Sequence, residues 1–79
     1  GQAVANDADP AREADAHFTA LAPEKALQVL TQALGSGGSK NVEVLWRLSR
    51  AQLLMGDRES APEAQLKLYE QARETASQA

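Results

Sequence analysis

The stretch Val42–Gly56 (VEVLWRLSRAQLLMG) carries the longest run of clean helical periodicity in the chain, and it limits the fold more than any other segment. Leu45, Leu48, Gln52 and Met55 recur at spacings of three and four, while Val44, Leu48 and Ala51 widen that side into a stripe. A stripe of this width belongs to a helix packed on two neighbours. Asn41 stands where an N-cap belongs, and Gly56 stands where a C′ glycine closes a helix. No strand-like alternation occurs anywhere in the sequence, so the chain reads as all-α.

At 79 residues the chain makes one small domain or a piece of a larger one. A chain of this size buries only about 60% of its unfolded surface, so its core is marginal. It has no cysteine, hence no disulfide and no thiolate metal site, which fits a reducing, intracellular compartment. Phe18, Trp46 and Tyr69 are its aromatic residues, so the core must be built from leucine and alanine in closely approaching helices. A net charge of −3 and a pI near 5.0 argue against nucleic acid as a partner. Apolar runs are only a few residues long, so no transmembrane segment is expected. Gly1 in place of an initiator Met is expected of a chain that was processed, cut from a longer protein or left with a cloning scar, any of which could already have taken a targeting segment away.

Four helices are expected, as two antiparallel αα-hairpins. A flexible lead-in covers 1–8, a first hairpin 9–34, a Gly/Ser-rich loop 35–40, a second hairpin 41–76, and a frayed tail 77–79. Asp9-Pro10 starts the first helix, which runs to about Leu21 with Ala11, Ala14, Phe18 and Leu21 inward and Asp15 wet. Pro23 opens the second helix, where Leu27, Leu30 and Leu34 share a face with Ala26 and Ala33, and Gly35 closes it in the left-handed conformation. GSGGS reads as a natural glycine-rich loop, since Lys40-Asn41 start the next helix directly, or else as an engineered flexible linker that joins two natural halves. Ser60-x-x-Glu63 has capping-box spacing before a fourth helix from about Pro62 to Ala76. Its expected inner face is Leu66, Tyr69, Ala72 and Ala76, with Leu68 beside them.

Few residues suggest chemistry. His17 is the only histidine and has no second ligand, Asp7, Asp9, Glu13 and Asp15 lack EF-hand spacing, and the serines have no His–Asp company. The glycines of the loop lack the Lys-Ser/Thr of a phosphate-binding loop. No enzyme activity, cofactor or metal is therefore expected. The remaining cluster is Trp46, Arg47 and Arg50, the candidate partner-binding residues. Glu43 and Arg47 are an i,i+4 ion pair, and Trp46 with Arg50 has the same spacing, suited to a cation–π contact. Residues 40–58 carry Lys40, Arg47, Arg50 and Arg58 against Glu43 and Asp57, a local excess of two positive charges in an acidic chain. Two readings stay open. The cluster either grips an acidic partner, or Trp46 packs on the neighbouring hairpin while the arginines bridge to acidic helices.

Leu45, Leu48, Ala51 and Gly56-Asp57 fall where the first helix of a tetratricopeptide repeat places its large residue, its Leu, its Ala and its Gly-Asp turn. Ser49 stands at that helix's glycine position, and Ala72 matches the small residue of the second helix after several extra residues in 58–65. More particularly, EADAHFTALAPEKALQVLTQAL, SKNVEVLWRLSRA and LYEQARETA resemble, in this order, the regulator of microtubule dynamics family. Glu13, Ala14, Asp15, Glu24, Lys25, Leu30, Leu45, Trp46, Arg47, Leu48, Arg50, Ala51, Tyr69 and Glu70 carry the resemblance, with Ser49 in place of the usual Ala. It spans about residues 13–76, the N-terminal part of such a protein. The resemblance implies a tetratricopeptide-like domain associated with microtubules and, in some members, with mitochondria. The expected function is a helical protein–protein interaction module, with tubulin or an assembly subunit as partner, in the cytoplasm and cytoskeleton or the mitochondrion. The other expectation is a structural or accessory subunit of a large, mitochondrial assembly.

Overall fold

The structure is a computed structural model that describes residues 9–38 and 41–79. The lead-in expected over 1–8 and loop residues 39–40 lie outside them. Among the described residues there are four α-helices and no strand: α1 (Pro10–Thr19), α2 (Pro23–Ala33), α3 (Val42–Arg58) and α4 (Pro62–Gln78). Each packs on the next in sequence, and α1 also touches α3. The Cα envelope measures 46 × 26 × 15 Å. A thickness of 15 Å holds two helix layers, since packed axes lie about 8–10 Å apart. In so thin a body every helix keeps an outward side. No helix among the described residues is long and apolar enough to cross a membrane.

The helix starts follow local chemistry. Asp9 Oδ1 accepts the Arg12 N–H at 3.2 Å, with Pro10 in the first turn, and Asn41 Oδ1 accepts the Glu43 N–H at 2.9 Å. These caps satisfy amides that no carbonyl within the helix can reach. The expected capping box at Ser60 does not form. Ala61 is the N-cap of α4, without a side-chain bond, and the Glu59 carboxylate accepts the Ala61 N–H at 3.3 Å instead. Gly35 is not left-handed either: after α2 the chain widens into a π-helical turn, Leu34–Gly38, with open space around Gly35.

One core cluster joins α1, α2 and α3: Ala14, Phe18, Ala26, Leu30, Val44, Leu48 and Ala51. Leu27, Ala33, Leu34 and Leu54 pack against its rim. Leu45 is fully buried as well, and Ala72 and Thr75 are the buried residues of α4. Three expected inner-face residues are outside. Leu21 is 78% exposed, because α1 ends at Thr19 and Leu21 takes a positive φ of 60° that carries its side chain off the helix face. Leu66 is 58% exposed and Ala76 is exposed too. Helix α4 keeps Leu68, Tyr69 and Ala72 on the inner side as expected, turns Gln65 and Thr75 inward in place of Leu66 and Ala76, and runs on to Gln78.

That rotation of α4 is set by polar pairs across the α3–α4 contact. Thr75 Oγ1 donates to Gln52 Oε1 at 2.8 Å, Ser49 Oγ donates to the Ala72 carbonyl at 2.8 Å, and Gln65 Nε2 donates to the Gly56 carbonyl at 3.0 Å. Gly56 lies within α3 and is not its cap. A Cβ built there would stand 2.6 Å from the Tyr69 ring. The ring cannot swing away freely, since its hydroxyl donates to Asp57 Oδ1 at 2.6 Å and accepts from Gln65 Nε2 at 3.3 Å. Glycine is therefore required for the close approach of α3 and α4. Gly56→Ala is expected to destabilise the domain by about 1–3 kcal/mol through overpacking, read as a lower denaturation midpoint. An unchanged midpoint would show that the two helices separate without penalty.

Candidate functional site

Helix α3 is covered on most of its circumference. Val44, Leu45, Leu48 and Ala51 face the interior, and Ser49, Gln52 and Gly56 face α4. Towards α1 lies Arg47, whose side chain is only 13% exposed. Its Nε and Nη2 donate to Asp15 Oδ1 and Oδ2 at 2.8 and 3.0 Å, a two-pronged carboxylate clasp between helices. Its Nη1 donates to Glu43 Oε1 at 2.7 Å and to the Glu43 carbonyl at 3.0 Å. At the far end Arg58 reaches Glu24 at 3.2 Å and the Leu21 carbonyl at 3.1 Å.

The electrostatics follow from these bonds. The hydrogen bond from Arg47, aided by its charge and that of Arg50, holds the Asp15 carboxyl below its ordinary value despite some desolvation. Glu43 is lowered first by the bond from Arg47 and then by that from Trp46. Arg47 itself is pushed further up by its bond to Asp15. On α4, Tyr69 is raised because its hydroxyl donates to Asp57, whose negative charge opposes a phenolate.

The candidate residues thus part company. Arg47 is an interhelix clasp. Its guanidinium also lies 4.3 Å from the centre of the Trp46 ring, and Trp46 Nε1 donates to Glu43 Oε1 at 3.2 Å. The indole is held at its face and its edge, yet remains 42% exposed. The contact expected between Trp46 and Arg50 is absent: Arg50 stacks at 4.4 Å on Phe18 of α1. The cause is Asp15, which draws Arg47 across the indole and leaves the neighbouring Phe18 face to Arg50. Asp15 and Phe18 lie about 32 residues upstream of these arginines, beyond the reach of local spacing rules. One signal does point to them, the acidic start of the first helix opposite the net-basic 40–58.

What stays open is the outward side of α3. Val42, Trp46 and Leu53 are 50%, 42% and 47% exposed. At 100° per residue they share an arc of about 40°, with Arg50 bordering it. Elsewhere, a shallow groove between α2, α3 and α4 is lined by Leu27, Thr31, Gln52, Gln71, Glu74, Thr75 and Gln78, of which Glu74 alone is charged. Among the described residues no group of His, Cys, Asp and Glu could hold a metal ion. His17 is half-buried on α1, 3.9 Å from Glu13. Compared with protein-family models, curated proteins and solved structures, this chain matches none.

Proposed function

We propose that the chain is a non-enzymatic protein–protein interaction module that docks a partner on the outward side of α3. The observation that carries this reading is the exposed line Val42, Trp46 and Leu53 on a helix otherwise covered by α1, α2 and α4. Trp and Arg are the residue types that most often dominate binding energy. The Arg47 and Glu43 contacts fix the Trp46 ring in advance, which reduces the ordering cost of association. In this reading the helices pair as two antiparallel tetratricopeptide-like hairpins, α1 with α2 and α3 with α4, in keeping with the packing of each helix on its sequence neighbour. The resemblance to the regulator of microtubule dynamics family makes tubulin the first partner to test, in a cytoskeletal or mitochondrial setting.

Co-sedimentation with polymerised microtubules tests that partner. The wild-type chain is expected to pellet with the polymer, and Trp46→Ala to weaken binding by about tenfold or more while keeping its helical circular dichroism. A wild-type chain left in the supernatant would remove tubulin as partner. A second reading has its own observation: Leu21 on the α1–α2 connection and Leu66 on α4 are also exposed, at 78% and 58%. Apolar residues on several sides suit an accessory subunit enclosed in a large assembly.

A further inference from the structure

We infer that the occupant of the α3 face is a single amphipathic helix of a partner protein carrying a carboxylate opposite Arg50; this rests on the docking-face reading above. The exposed line spans positions 42 to 53, about 16 Å or three turns along the axis. A helix laid alongside would meet it through anchors one or two turns apart, as in helix-in-groove recognition. An added strand has nothing to pair with here, because α3 spends its amides and carbonyls on its own hydrogen bonds.

The charge of Arg50 selects the partner. Among the described residues Arg47 and Arg58 each have a carboxylate within 4 Å, whereas Arg50 has none. Asp15 feels the field of Arg50, but both Asp15 oxygens are already bonded to Arg47. Arg50 borders the line on the α1 side, four residues from Trp46 and three from Leu53, so a docked helix meets it at its edge. A carboxylate there forms a charge-assisted pair, and an apolar side chain would further desolvate a guanidinium that has the Phe18 ring on one side but no carboxylate.

A second copy of this chain is disfavoured for the same reason. A two-fold antiparallel contact that matches Trp46 with Leu53 of the other copy is centred between residues 49 and 50. Each Arg50 would then meet its own copy at the axis, where an isologous interface repeats every contact. Like charges placed together discriminate against that partner.

The test is a selection against the full chain with a library of helix-stapled 18-residue peptides randomised along one face. Enriched peptides are expected to carry large apolar residues at helical spacing with Asp or Glu between them. Their binding should fall about tenfold or more with Arg50→Glu and should recover when the peptide's acid is changed to Lys. Enriched peptides that need Trp46 but carry no carboxylate, or that ignore Arg50→Glu, overturn this inference and leave the docking face standing. Peptides indifferent to Trp46→Ala overturn both. A concentration-dependent dimer in analytical ultracentrifugation, lost in Trp46→Ala, would assign the face to a second copy and overturn the acidic helix.

Discussion

Leu48→Ala is expected to remove about 2–5 kcal/mol of stability, against a total of about 4–12 kcal/mol for a domain of this length. Leu48 is 4% exposed and sits in the cluster that joins three helices. Its neighbours there are Ala14, Phe18, Ala26, Leu30, Val44 and Ala51. The alanines have no rotamers with which to fill a void, and Phe18 is held beneath the Arg50 guanidinium. The cavity therefore stays open, which places the cost in the upper part of that range. A loss of this size lowers the melting temperature by about 10 °C or more. A shift of one or two degrees would show that α3 presents a different side to the core.

The legible parts of this fold are those governed by neighbours in sequence. Asp9 and Asn41 cap their helices because an N-cap side chain only has to reach an amide two or three residues on. Ala14, Phe18, Ala26, Leu30 and Leu48 are buried where the 3.6-residue period places them. The period misleads on α4, where burial is decided by hydrogen bonding across α3. Thr75 and Gln65 go inside because Gln52 and the Gly56 carbonyl receive them, and Leu66 is turned to water. Gly56 shows the same limit. A glycine near a helix end has the pattern of a cap, and only the Tyr69 ring reveals it as the place where two helices touch.

The candidate site divides in the same manner. The gathering of Trp46, Arg47 and Arg50 on one stretch was readable, as was the Glu43–Arg47 pair, since all are local. The separate tasks of the arginines depend on Asp15 and Phe18, which only the packing of α1 on α3 brings near. Asp15 was expected to be wet, and its half-exposed carboxylate is partly so; what spacing could not show is the guanidinium that claims both its oxygens.

Arg47→Glu is the second substitution with a large expected effect. It deletes both bonds to Asp15 and the pair with Glu43, and it sets a third carboxylate beside those two. Hydrogen bonds to charged groups contribute about 1.5–3 kcal/mol each. Asp15 and Glu43 are 48% and 66% exposed, so screening by water reduces that contribution. The expected net cost is about 2–4 kcal/mol once the repulsion among carboxylates is included. Arg50→Glu loses one stacking contact with Phe18, worth about 0.5–1 kcal/mol at an exposed position.

The division between these residues is that Arg47 holds the helices together, while Trp46 and Arg50 stay exposed on the outer side of α3. Thermal melts of Arg47→Glu and Arg50→Glu, run side by side at neutral pH and low salt, test it most directly. Arg47→Glu is expected to melt about 8 °C or more below the wild type, with Arg50→Glu within about 4–8 °C of it. Equal losses, or a larger loss for Arg50→Glu, would contradict the assignment and make Arg50 the residue that binds the helices together.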